Sequence, residues 1–155
     1  MKIFLNVTSC LLLTIFLAFP SYGNDDKLIS DLMQVAREQI TSAKLLDGSF
    51  VPAETEEEKK TPIIKIEDAR RIVGVGQQSA IAAWCNVEWY KSSFTNLMQH
   101  ERSKEIWSDK QLAYIGLLHG ITMGMTEKSV KQRGECPSKQ ASHINNIISK
   151  RLFNN

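Results

Sequence analysis

This chain contains no CxxC or CxxCH motif, and no G-x-S-x-G, H-E-x-x-H or phosphate-binding P-loop. Thioredoxin-type exchange and covalent c-type haem attachment therefore lose their sequence basis. The familiar hydrolase, zinc-protease and nucleotide signatures are also missing. "GVGQQS" (74–79) has the look of a dinucleotide loop, but it lacks a preceding strand and a third glycine. Charge of one sign is scarce as well. The formal net charge is only +2, so no strong field recruits nucleic acid. No alternating apolar pattern marks a strand, and no segment repeats. Helical periodicity is what remains, and it predicts an all-α chain.

The chain starts with a feature of its own. Lys2 precedes an apolar run densest from Cys10 to Phe19, Pro20 breaks it, and Ser21-Tyr22-Gly23 follows. This is the pattern of a secretory signal peptide cut after Gly23, leaving Asn24 as the first mature residue. The run is short for a membrane span of ~20 residues. Cys10 lies before the apolar core rather than after it, which argues against a lipoprotein. The expected location is the periplasm or the medium, with no membrane span after cleavage.

Cys85 and Cys136 are the cysteines left after the cut. In an oxidising compartment they should pair. Closing a loop of roughly fifty residues is worth ~4 kcal/mol in the chain-entropy account.

Leu28, Leu32, Val35, Ala36, Ile40, Ala43 and Leu46 recur at helical spacing, with Gly48 as a stop. The stretch from 48 to 62 holds two prolines and four glutamates without periodicity, and reads as an acidic linker or mobile loop. Thr61 and Pro62 suit a helix start. Gly74 and Gly76 predict a break, and a second piece then runs from about Gln78 to Ser103. Ser108 and Gln111 form a capping box for a helix reaching Met125. A last helix spans 138–153, with Ile144, Ile147, Ile148 and Leu152 on one stripe. The expected architecture is a single bundle of about five helices, residues 24–155, with one disulfide. Lys128, Lys131, Arg133 and Lys139 read as a solvated basic stretch.

Within "YIGLLHGITMGM" (114–125), Gly116, Gly120 and Gly124 recur every fourth residue. Each costs roughly 1 kcal/mol of helix propensity against alanine. Their line forms a groove that should accept bulky neighbours. An antiparallel hairpin about the turn at 105–106 sets Gly116 near Thr95, Gly120 near Lys91 and Gly124 near Val87. Aromatic rings from Trp84, Trp89, Tyr90 and Phe94 are then expected on bare backbone. Added bulk at Gly120 should destabilise by overpacking.

The candidate chemistry is sparse. His119 sits beside the glycine line, as a bonded core histidine or a binding-site histidine. His119, Met123, Met125, Met98 and His100 are ligands that suit Cu(I), although methionine also fills cores. Glu88, Glu101 and His119 offer an acid–base set without a diagnostic spacing. Around one turn, Arg102, Trp107, Asp109 and Lys110 form the most distinctive surface group. There Trp107 is either a staple before the Ser108 cap or an interface anchor. No catalytic residue, metal set or cofactor is assigned. The binding candidates are Arg102, Trp107, Asp109, Lys110, Gly116, His119, Gly120 and Gly124.

Cys85, "GLLHGITMG" (116–124) and Cys136-Pro137 resemble two groups of small periplasmic two-cysteine helical proteins. These are the Rap/Tai-type immunity proteins of type VI secretion and the HdeA-like acid-stress chaperones. The resemblance covers about a third of the chain. The part before residue 60 departs from it, and "WSDKQLAYIGLLHG" has the look of a separate bacterial family. The resemblance implies a non-catalytic, protein-binding role with another protein as partner. The competing readings are a small enzyme and a metal or small-ligand carrier using His119 and Met123.

Overall fold

The computed structural model describes residues 26–153, and side chains through Lys150. The leader expected at 1–23 lies outside these residues. Among the described residues there are five α-helices: α1 (Asp26–Glu38), α2 (Ile66–Trp84), α3 (Asn96–Ser103), α4 (Asp109–Lys131) and α5 (Ser138–Phe153). No strand occurs among the described residues, only an isolated bridge between Lys44 and Phe50. The fold is a small all-α bundle, and none of its described helices is long and apolar enough to cross a membrane.

At the centre α2 and α4 run side by side in parallel. Gln111 at the start of α4 donates to the Ile63 carbonyl just before α2 at 2.8 Å. At the far end, the Trp84 indole donates to the Gly134 carbonyl at 2.8 Å. Ile72 and Val73 of α2 and Ile115 and Leu118 of α4 are fully buried between them. Each large aliphatic side chain so removed from water is worth about 1.5–3 kcal/mol. On this pair lies α1, burying Ile29, Leu32 and Ala36 at helical spacing. Tyr114 ties α4 to α1 through a hydroxyl that donates to the Met33 carbonyl at 2.7 Å.

Two expected boundaries move. The first helix stops at Glu38, and the chain turns through a short 3₁₀ segment, Ile40–Ser42. Gly48 has φ +85° and serves the turn that closes the Lys44–Phe50 bridge, not a helix end. Pro62 stays in the loop, and α2 begins at Ile66 with Glu67 and Asp68 in its first turn.

The break expected at Gly74 and Gly76 is absent, because α2 is continuous to Trp84. Intrinsic propensity is overridden there by packing, as Gly76 is where α2 touches α4. The helix expected from 78 to 103 is instead divided. The chain turns at Asn86, whose φ is +54°, and re-enters as a π-helical segment, Tyr90–Thr95, leading into α3. Ser108 caps α4 as expected, with the reciprocal Gln111 bond in place.

The 48–62 stretch is a loop with buried anchors. Val51 is 2% exposed. Arg37 grips Glu54 with two bonds of 2.7 and 2.9 Å, and Lys110 reaches Glu58 at 2.7 Å. Thr55 and Glu58 cap one another reciprocally around a 3₁₀ turn. The bond from Lys110 and the Thr55 backbone N–H together hold the Glu58 carboxyl down to about 2.

Cys85 and Cys136 form the expected disulfide across 51 residues. It fastens the start of α5 to the end of α2. Ile144 and Ile148 of α5 then pack with Ala82, Ile81 and Trp89 in a second, smaller core.

Candidate functional site

The residues singled out in the sequence separate into three environments. The first is buried and polar. His119 is 2% exposed, and its Nε2 lies 3.0 Å from Ser79 Oγ. The same hydroxyl lies 2.8 Å from Ser93 Oγ and 3.0 Å from the Val75 carbonyl. A hydroxyl has one proton and two lone pairs. All three neighbours are satisfied together only when Ser79 donates to Val75 and accepts from Ser93 and from His119 Nε2–H. Phe94 packs on the imidazole with centroids 4.9 Å apart, and Trp89 stacks at 6.4 Å. Burial lowers the His119 pKa to about 4. The ring is a neutral core group, engaged on Nε2.

The second environment is an ionic brace. Glu101 is fully buried and accepts from Arg71, from Lys104 at 3.0 Å and from the Trp107 indole at 2.9 Å. Burial pushes its pKa up, but the bonds from Arg71, Lys104 and Trp107 outweigh this and hold it below the ordinary value. Trp107 is thus half-buried, packed on the main core and bonded inward. Lys110, also expected at a surface, is committed to Glu58 and lies 3.9 Å from Glu54.

Glu88 is engaged elsewhere, accepting from the Tyr90 and Lys91 backbone N–H groups at the start of the π-helical segment. Glu88, Glu101 and His119 therefore have separate partners. No group of three or more His, Cys, Asp or Glu side chains gathers among the described residues.

The third environment is an open cleft of about 440 Å³. Gly116 forms part of its floor, next to Phe94 and Met98. Leu46 and Tyr90 stand on its walls, and Lys44, Arg102 and Asp109 line it as well. Leu46 is 64% exposed and Tyr90 55%. So the fold gathers Arg102, Asp109 and Gly116, three of the sequence candidates, and adds Leu46 and Tyr90. The exposure of these two follows from tertiary packing, which periodicity does not register.

The glycine line itself is corrected. A Cβ on Gly116 would meet Met98 Sδ at 3.9 Å and Phe94 at 4.0 Å, in agreement with the expected hairpin register. Gly120 and Gly124 have nothing within 4 Å of that position, and both are exposed. The turn at Asn86 carries the chain away, and Trp89 lies against His119 instead. The glycine under real constraint is Gly76. Its Cβ would lie 2.9 Å from both the His119 carbonyl oxygen and Thr122 Cβ.

No known family, curated protein or solved structure matches the chain.

Proposed function

We propose that this protein is an exported, non-catalytic binding module of the bacterial periplasm, immunity-like or chaperone-like, whose partner is another protein. The observation that carries this reading is the cleft at Gly116. Two large apolar side chains, Leu46 and Tyr90, stand more than half exposed beside a floor of Phe94, Met98 and Gly116. Exposed apolar surface rimmed by charge is the usual composition of an interaction site. Arg102 and Asp109 supply charges of both signs there. The fitting partner presents an apolar side chain flanked by an acid and a base. The leader-like start and the Cys85–Cys136 bond support an oxidising compartment. Glu101, His119 and Tyr114, buried titratable groups among the described residues, are already engaged by internal partners.

The test is affinity purification from periplasmic extract followed by mass spectrometry. Wild type should retain a protein that Leu46→Asp/Tyr90→Asp loses, while the melting temperature shifts by no more than about 4 °C, as expected for two exposed sites. Equal retention by both would remove the cleft from the account.

A further inference from the structure

The wall of the Gly116 cleft that carries Leu46 is one side of a short hairpin. The Val51 N–H donates to the Ala43 carbonyl at 3.0 Å, and the Leu45 N–H to the Ser49 carbonyl at 2.8 Å. These bonds flank the bridge between Lys44 and Phe50, which makes those two a non-hydrogen-bonded pair. In such a pair each residue's own N–H and C=O are directed away from the opposite strand. Those of Lys44 have no hydrogen-bond partner among the described residues. Ala43, Leu45 and Val51 pack on the main core and hold the hairpin in place, whereas Lys44, Leu46 and Phe50 are exposed.

This unpaired edge borders the cleft. Ala43, Lys44 and Leu46 line it, and no residue from Ser49 to Val51 does. Ala43 belongs to the inner face of the hairpin, Lys44 and Leu46 to the outer face. A cleft that touches both faces of one strand and nothing of the other lies along that strand's outer edge. An extended peptide satisfies such an edge with its own backbone while a side chain enters the neighbouring pocket. A helix bonds its N–H and C=O groups internally and would leave the edge unpaired.

Charge narrows the occupant further. Arg102 and Asp109 line the cleft without an ion-pair partner among the described residues. Lys44 adds a second positive charge, its ammonium 5.6 Å from the Phe50 ring centroid. Two bases against one acid favour an acidic segment. A second copy of this chain, pairing the same edge about a two-fold axis, would set lysine opposite lysine, and like charges so placed are destabilising.

We infer that the cleft takes an extended, acidic segment of a partner protein, added as a strand along Lys44, with an apolar side chain seated beside Leu46 and Tyr90. This rests on the cleft being the protein-binding site and adds the form of what binds there.

The test selects randomised displayed peptides on the oxidised protein and then synthesises the selected sequences. They should carry an apolar residue beside Asp or Glu, and should bind wild type but not Leu46→Asp/Tyr90→Asp. Backbone N–H groups of the peptide are replaced one at a time by ester oxygen. Binding should weaken roughly five- to tenfold at one nitrogen, or at two separated by one residue, and little elsewhere, the difference one hydrogen bond makes. Lys44→Pro deletes the outward N–H and breaks no internal bond. Ala43 already has φ −78° and ψ 154°, as a residue before proline requires. This variant should weaken binding to a similar degree, and Lys44→Ala, which keeps the N–H, should lose less. Peptides lost on Leu46→Asp/Tyr90→Asp but indifferent to every ester and to Lys44→Pro overturn the strand pairing and leave the cleft standing. Peptides that bind that double variant as well as wild type remove the cleft itself, and this inference with it. No enrichment, apolar residues at helical spacing, or a wild-type dimer that Lys44→Pro separates would each overturn the inference. The ester series uses wild-type protein, so it decides even where a variant fails to fold.

Discussion

Gly76 in α2 and Gly120 in α4 are both interior helix glycines, yet they stand in opposite surroundings. Gly76 is pressed against the His119 carbonyl and Thr122, with no room for even a methyl group. Gly120 is exposed, with nothing within 4 Å. The two sides of α4 explain the difference. One side meets α2 across a dry seam holding His119, Ser79, Ser93 and Thr122, all 2% exposed or less. The other carries the regular glycine line and faces outward beyond Gly116. Regular spacing marked the loose side, and a glycine outside any regular spacing marked the tight one. What distinguishes them is the distance between backbones, which no single helix encodes.

The largest way to break this contrast is to charge the tight side. His119 has its folded pKa depressed to about 4 by burial, against about 6.5 in an unfolded chain. Between those values the unfolded state binds more protons, so stability falls as pH drops. The loss begins near pH 6.5 and saturates below pH 4, reaching roughly 3 kcal/mol for such a shift. Glu101 contributes in the same direction but later, because its pKa is lowered and it protonates only at stronger acidity. Urea titrations at pH 7.5 and pH 4.5 should therefore differ by about 2–3 kcal/mol. His119→Gln, which cannot titrate, should remove most of that slope. An unchanged slope in the variant would mean that His119 is not the group responsible.

The next effect is steric. Gly76→Ala adds one methyl group where backbone and a β-branched side chain lie too close. Alanine gains up to about 1 kcal/mol of helix propensity. Overpacking costs about 1–3 kcal/mol, and a carbonyl oxygen cannot swing aside as a side chain end can. A net loss of about 1–2 kcal/mol is expected in the urea midpoint, with the slope of the transition unchanged. A more stable Gly76→Ala would show that α2 and α4 stand further apart than described.

Much of the fold could be read from residue patterns. The Ser108–Gln111 cap, the Ile144 and Ile148 positions of the last helix's apolar stripe, and the pairing of Cys85 with Cys136 are local or compositional signals, and each appears in the structure. The seam was not readable, because Gly74 and Gly76 look like breakers until a partner helix is placed on them. The acidic loop was half-readable. Thr55-x-x-Glu58 is a capping box in plain sequence, whereas the Arg37–Glu54 pair spans 17 residues and needs the fold. At the cleft, the cluster around one turn pointed to Arg102 and Asp109, and the four-residue glycine spacing to Gly116. Trp107 was drawn inward by Glu101, a bond between side chains six residues apart that no helical spacing implies.

The smallest effect tests the loose side and reverses the sequence-based expectation for bulk at Gly120. With no atom within 4 Å of its Cβ position, Gly120→Ala meets no steric opposition. Alanine loses less backbone entropy on folding than glycine and is the better helix former by about 0.8–1 kcal/mol. The gain acts mainly through the unfolded chain. Gly120→Ala should therefore raise stability by roughly 0.5–1 kcal/mol, read as a higher melting temperature of the oxidised protein. Gly116→Ala should gain less, because Met98 and Phe94 stand at ordinary contact distance there. Paired with Gly76→Ala, the same substitution then gives opposite signs on two adjacent helices. If Gly120→Ala instead lowers the melting temperature, the outer side of α4 is covered in solution, and the contrast between the two sides fails.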